Sequence, residues 1–392
     1  MFSYKIINRK KRIAVKTADF FLHPIFYLRE KTTGQKKPIL TPAEFPNLKK
    51  ILIVRSAYIG DVVMTLPVLN PIRAAFPNAE ISFLTSNSAA PILANHPAVD
   101  KIIPYDAFWF YSQPKQVAYQ KYQEVKRRLR QEQFELIIDF RGDLRDIYYL
   151  VYQSRAKYRI SYGSGGGAYW LTQVVPLREI KHRVQFHLDI LRELNIPVAD
   201  DTPKIYLTEE EKQQATAKLE SLGINPGRDM IIGIHPGARM PLKRWDPKKY
   251  SELIYRIAKS NLGKIILFTS LESTVSDKGF QTKEYENPPG LMNDLTLREL
   301  AAVLSYCKVL VCNDSAPMHI AAAVGTKCIA IFGPSKSNET GPYGAGHRVI
   351  ENPYSCRSTC DEATCNYTIY NDCLKTITVE TVYQSLEKIV RT

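Results

Sequence analysis

The chain has 392 residues, with 53 Lys and Arg against 39 Asp and Glu, a formal net charge of +14. The length suffices for two domains, and the basic excess favours an acidic partner such as a nucleotide, an anionic lipid or a phosphorylated glycan. The sequence argues against a spanning helix, since no apolar run reaches roughly 18 residues, against nucleic acid, since no basic–aromatic reader signature is present, and against a secretory leader, so the expected location is cytoplasmic.

Residues 1–47 read as a basic extension and linker. Lys5, Arg9, Lys10, Lys11, Arg12 and Lys16 crowd its first half, and Phe20, Phe21, Ile25, Phe26 and Leu28 its second. Such a segment suits the surface of an anionic membrane, and equally a helix packed on the body of the protein. Lys31 to Pro46, rich in Thr, Gly, Lys and Pro, reads as a linker.

Residues 48–205 read as a first α/β domain. Lys49 to Arg55 has the continuous apolar pattern of a buried parallel strand. The turn Ser56 to Asp61 leads into a helix expected from about Val62 to Phe76, followed by a strand Glu80 to Thr85. Gly60 permits close backbone approach, and Asp61 either caps the helix or acts as a general base. No G-x-G-x-x-G fingerprint accompanies it, so dinucleotide oxidoreduction lacks support. Further strands are expected at Val99 to Pro104, Glu135 to Phe140 and Tyr158 to Tyr162, with helices at Tyr119 to Gln131 and around His187 to Leu194. Arg141 and Arg145 suit an anionic acceptor or pair with Asp139, Asp143 and Asp146. The run Gly163 to Gly167 reads as a solvated loop or an acceptor-side lid.

Residues 206–375 read as a second α/β domain, and 376–392 as a closing helix. A helix Glu209 to Leu222 precedes the strand Met230 to His235, whose Gly-containing turn Pro236-Gly237-Ala238 runs into Arg239, Lys243 and Arg244. Exposed N–H groups with a lysine six residues after the glycine suit a diphosphate. A strand Lys264 to Thr269 is followed by Glu272. A strand Val309 to Cys312, a turn Asn313 to Pro317, a small-residue helix His319 to Val324 and a strand Cys328 to Phe332 form a right-handed strand–helix–strand unit. Asp314, Ser315 and His319 then lie where open parallel sheets bind ligands. The same helix start reads equally as ordinary capping.

Cys307, Cys312 and Cys328 fall in apolar patterns and read as core. Cys356, Cys360, Cys365 and Cys373 follow a C-x3-C-x4-C-x7-C spacing, without the paired C-x2-C knuckles of zinc ribbons. A structural zinc and a loop of reduced or adventitiously oxidised thiols both fit.

Three separated motifs carry a resemblance. They are Ile51 to Arg55 with Gly60-Asp61 and Thr65-Leu66-Pro67; His235-Pro236-Gly237 with Lys243-Arg244-Trp245; and Asn313 to His319 with Phe332-Gly333-Pro334. In this order and spacing they resemble glycosyltransferase family 9, the heptosyltransferases of lipopolysaccharide core assembly. The resemblance covers about residue 48 to the end and leaves the extension unexplained.

That family implies the GT-B architecture, with two Rossmann-like domains facing across a cleft, and inverting chemistry that needs no metal and no cofactor. By position it implies Asp61 as general base and Lys243 as the cation at the leaving diphosphate. Gly237, Ala238, Arg239, Asp314, Ser315, Ala316 and His319 would bind the donor, with Glu272 at its ribose. Arg55, Gly60 and Arg141 would meet the acceptor. The implied substrates are a sugar nucleotide, ADP-heptose or a related donor, and an anionic lipid-linked glycan held at the inner face of the membrane. Two positions depart from the pattern: Ala316 replaces the usual glycine, and Ala238 stands where a hydroxyl residue is common. The alternatives are a member using another sugar nucleotide and surface glycan, a sugar-nucleotide epimerase, and a non-catalytic nucleotide-sugar-binding protein.

Overall fold

A computed structural model describes residues 9–33, 37–179, 181–269, 288–358, 360 and 364–391. The chain divides into two compact units, Met1–Asp201 and Thr202–Thr392.

The first unit contains α1 (Arg9–Thr33), β1 (Lys50–Arg55), α2 (Ile59–Val63), α3 (Leu69–Ala75), β2 (Glu80–Thr85), β3 (Lys101–Pro104), α4 (Lys115–Gln131), β4 (Leu136–Asp139), α5 (Leu144–Asp146), β5 (Tyr158–Tyr162), β6 (Gln173–Val175) and α6 (Arg183–Glu193). Its six strands are parallel, in the order β3-β2-β1-β4-β5-β6. Strand β1 is central and reads Lys-Ile-Leu-Ile-Val-Arg, with every residue after Lys50 buried. Helices cover both faces of such a sheet, which is why its central strands carry apolar runs rather than alternation.

The second unit contains α7 (Glu209–Ser221), β7 (Ile231–His235), α8 (Pro247–Ser260), β8 (Lys264–Thr269), β9 (Gly290–Asn293), α9 (Leu297–Leu304), β10 (Val309–Asn313), α10 (Ala316–Ala323), β11 (Lys327–Ile331), α11 (Ser337–Thr340), β12 (Arg348–Ile350), α12 (Asp372–Lys375) and α13 (Val379–Val390). Its strands are also parallel, in the order β12-β11-β10-β7-β8-β9. Read from its own first strand, this is the order of the first unit. Both are Rossmann-like, and the architecture is GT-B. The strand order reverses between β1 and β4 in one sheet and between β7 and β10 in the other, while the strands themselves stay parallel. Loops diverge at such points and leave a ligand crevice at the carboxyl ends.

Each unit has its own apolar interior. Leu52, Val54, Leu129, Ile137 and Leu150 belong to the first. Ile232, Trp245, Leu253, Val311 and Leu386 belong to the second, so α13 is part of that core.

Several expectations are corrected. The helix expected from Val62 to Phe76 starts at Ile59 and is cut into α2, a 3-10 turn at Leu66–Val68 and α3. Pro67 lacks the N–H that a continuous helix needs there. The run Gly163 to Gly167 is no solvated loop or lid. Gly166 and Gly167 adopt positive φ, Gly167 donates its N–H to the buried Asp19 carboxylate of α1 at 3.1 Å, and a Cβ on Gly166 would meet Val15 at 2.4 Å. The linker read at 31–46 is largely structured, with Leu40 and Phe45 buried and the Phe45 ring on Phe76.

Candidate active site

In the first unit, the site grows from the carboxyl end of β1. Arg55 is the last residue of that strand, and its position in the sheet leaves the residue only 6% exposed. It donates to Phe140 O at 2.9 Å, just beyond β4, and to Asp61 Oδ1 at 2.8 Å. Asp61 sits in the first turn of α2, where a helix favours negative charge, and its side chain stays 31% exposed. The N-cap is Tyr58, so Asp61 does not cap the helix. Gly60 has ordinary helical geometry, and its carbonyl accepts from Met64 N. Thr65 Oγ1 bonds Asp61 O at 2.8 Å, and His187 Nδ1 lies 3.2 Å from that hydroxyl.

Burial works to raise the Asp61 pKa, but Arg55, Arg141, Arg183 and His187 outweigh it and hold the group below its ordinary value. The carboxylate is therefore ionised at neutral pH. Arg141 lies over the Phe110 ring at 3.6 Å and reaches Asp146 and Asp143 at 3.8 and 3.9 Å. Of the three partners read from sequence, Asp143 and Asp146 pair with its guanidinium; Asp139 instead accepts from Ser161 Oγ and Gly142 N. Asp146 is fully buried, accepts from Trp109 Nε1 at 2.8 Å, and is pushed up to about 7 by burial and by Asp139 and Asp143, against Arg141.

The second unit also carries an ion pair at its strand ends. Lys243 Nζ lies 2.8 Å from Asp314 Oδ2, with the two side chains 12% and 6% exposed. Asp314 follows β10 directly. Ser315 is the N-cap of α10, but its hydroxyl donates back to Asn313 O at 3.2 Å and caps no helical N–H. The start of α10, at Ala316, is thus left without a side-chain cap, and a helix start of this kind suits an anion. His319 lies one turn further and is 6% exposed.

Asn313, absent from the predicted site residues, organises this end. It is fully buried at the end of β10. Its Nδ2 donates to Pro236 O at 2.7 Å, and its Oδ1 accepts from Trp245 N at 3.1 Å and Tyr250 OH at 3.0 Å. One amide thereby ties the Pro236-Gly237-Ala238 turn to the segment carrying Lys243. The signal in the sequence was a lone polar residue closing an otherwise apolar strand. Arg244 Nε fastens the same turn through Ala238 O at 2.7 Å, and Arg239 is exposed. Glu272 lies outside the described residues.

The four late cysteines form no disulfide here, and together they line one small cavity with Leu242, Gly333 and Tyr367. Among the described residues, no group of three or more His, Cys, Asp or Glu side chains is placed to hold one metal ion.

A model of glycosyltransferase family 9 (heptosyltransferase) matches residues 122–370, more than half of the sequence. The chain belongs to glycosyltransferase family 9. As a member it is a glycosyltransferase of the heptosyltransferase family, and its relatives act in lipopolysaccharide biosynthesis. Lipooligosaccharide heptosyltransferase 2 of Haemophilus influenzae is 28% identical over 307 residues, covering 74% of this chain and 85% of its own. A family 9 glycosyltransferase structure from Veillonella parvula shares the fold at TM-score 0.74 and 22% identity, covering 89% of this chain and 98% of that one. The ADP-heptose lipopolysaccharide heptosyltransferase II of Escherichia coli does so at 0.69 and 21%, covering 87% and 98%. The family match takes in Lys243 and Asp314 but begins after Asp61.

Proposed function

We propose that this family 9 enzyme transfers heptose, or a related sugar, from a nucleotide diphosphate donor, ADP-heptose, to an anionic lipid-linked glycan of the lipopolysaccharide-core type, with inversion and without a metal. The donor belongs to the second unit. Its diphosphate accepts hydrogen bonds at the start of α10, and Lys243 supplies the positive charge that a metal gives elsewhere. Gly237, Ala238, Arg239, Ser315 and His319 line the same strand ends. The acceptor belongs to the first unit, where Arg55 and Arg141 attract its anionic groups beside Gly60.

Asp61 takes the proton from one acceptor hydroxyl. That oxygen bonds to the anomeric carbon as the bond from carbon to diphosphate oxygen breaks, and the nucleoside diphosphate leaves with the electron pair. A base held below its usual pKa is always ionised but weakly basic. An anionic acceptor docked against Arg141 offsets the same positive field, so the carboxylate gains basicity when substrate is present. The enzyme works at the inner face of the cytoplasmic membrane, in peripheral contact with anionic lipid.

The reading rests on two observations, each made within one unit: an accessible, ionised carboxylate at the strand ends of the first and a lysine at the strand ends of the second. A protein that only binds nucleotide sugars needs no such base. The test is transfer by purified protein from a panel of sugar nucleotides to a core-glycan acceptor. Wild type is expected to transfer heptose, and Asp61→Ala to lose at least about 100-fold in kcat. Equal rates for the two proteins overturn the assignment of the base, and donor binding without transfer by wild type favours the non-catalytic alternative.

A further inference from the structure

Helix α1 has apolar groups on two opposite faces, and only one of them is used. A residue turns about 100° around a helix axis, so positions seven, eight and fifteen apart share a face. The inner stripe is Val15, Asp19 and Leu22. Asp19 is 6% exposed and accepts from Gly167 N, Leu22 packs against the core of the first unit, and the next residue, His23, meets the edge of the Tyr169 ring. These contacts fix how the helix is rolled on the body of the protein.

That roll sends Ile13, Phe20, Phe21 and Leu28 outward, with Ile25 at their flank. All five are between 55% and 73% exposed. The two phenylalanine rings meet edge to face at 5.4 Å, a joined apolar ridge rather than scattered side chains. Contiguous exposed apolar surface of this kind marks an interaction site. Packing alone therefore accounts for one face of α1, and something else has to account for the other.

Charge selects the occupant. The sequence of α1 holds seven Lys and Arg against two acidic residues, and Asp19 is already consumed by Gly167. Arg9, Lys10, Lys11, Arg12 and Lys16 occupy the first two turns, and Lys16 is exposed. Among the described residues no helix is long and apolar enough to cross a bilayer. A 25-residue helix that cannot span, with an aromatic ridge beside a basic end, matches a bilayer interface bearing negative headgroups. Each basic residue near such a surface adds attraction, and the ridge adds apolar burial, the two signals that stable anchoring requires.

We infer that the outward face of α1, centred on Phe20, Phe21 and Leu28, is a docking surface for an anionic lipid bilayer, with α1 lying flat and the first unit fixed beneath it through Asp19 and Gly167. This deepens the peripheral contact in the proposed function. It is tested by lipid binding, which needs no sugar transfer, so the two stand or fall separately.

The experiment is vesicle co-sedimentation of the full chain. Vesicles of phosphatidylcholine alone are compared with vesicles containing about a third phosphatidylglycerol, at low and high salt. Wild type is expected to sediment with the anionic vesicles, and less so as salt screens the basic end. The triple variant F20S/F21S/L28S is expected to lose at least tenfold in vesicle affinity while keeping its melting temperature and its transfer to a delipidated acceptor. K10E/K11E is expected to weaken binding to anionic vesicles and leave the melting temperature unchanged. Unchanged vesicle binding in the triple variant overturns the inference. So does a marked fall in its melting temperature, which would mean the face is covered by the body of the protein. A wild-type dimer that becomes a monomer in the triple variant, with no vesicle binding by either, overturns it in favour of a second copy of the chain.

Discussion

The ammonium of Lys243 and the carboxylate of Asp314 form an ion pair of 2.8 Å at the carboxyl end of β10, largely out of solvent. Removing one partner of such a pair leaves the other charge buried, at a cost of about 3–5 kcal/mol. Lys243→Met should therefore lower the unfolding free energy by that order in denaturant titrations and abolish transfer. The double variant K243M/D314N should regain most of the stability and none of the activity. If it regains activity, Lys243 acts only as a structural partner of Asp314.

Arg55 sets the charge state of Asp61. With Arg141 and Arg183 it outweighs burial and lowers the Asp61 pKa. A lowered carboxylate contributes stability that is present above its unfolded value, about 4, and lost as pH falls through the folded value. The acid limb of kcat/KM should accordingly lie below the ordinary carboxylate range. Arg55→Gln removes the nearest cation and should move that limb to higher pH. A pH–rate profile with an unmoved limb would mean that Asp61 is not the titrating base.

His96 is buried, its Nδ1 accepts from Ala98 N at 3.2 Å, and burial lowers its pKa from 6.5 to about 4. Buried His187 is lowered as well, chiefly by burial and then by Arg55. The folded protein excludes these protons and the unfolded chain binds them. Stability is thus full above the unfolded value of 6.5 and falls as pH drops from there towards 4. For His96 the loss at pH 5 is about 2 kcal/mol. His96→Asn keeps an acceptor for the Ala98 N–H and should show a smaller fall in melting temperature between pH 7 and pH 5 than wild type.

Asn313 satisfies Pro236 O, Trp245 N and Tyr250 OH with one side chain. Each orphaned buried group costs about 1–3 kcal/mol. Asn313→Ala should destabilise by at least about 3 kcal/mol in chemical denaturation and raise the donor KM, because the turn carrying Gly237 loses its tether. Tyr250→Phe removes a single bond and should cost about 1 kcal/mol with little change in KM.

Much of this was legible in the residues. Central strands such as β1, β7 and β10 announce themselves as apolar runs, since both faces of each sheet are covered. The edge strands β6, β9 and β12 were missed. They span three or four residues and bury few of them, so neither length nor period separates them from loops. Asp61 and Lys243 stood out because a charge beside the Gly-containing turn that follows a buried strand needs a reason. The seating of α1 on Gly166 and Gly167 was not legible, because a glycine run signals freedom until the helix that fills it is in view. Asn313 was passed over for the same kind of cause: its three partners lie 63 to 77 positions away along the chain.

The repeated strand order has a consequence for how such enzymes diversify. Each half encloses its own interior and offers its own ligand-facing rim, so on the proposed division of donor and acceptor a change of leaving group can arise in one while the other continues to choose the nucleophile. Exchange of residues 202–392 for the equivalent portion of a relative should carry the preference for the activated sugar with it and leave recognition of the receiving glycan behind.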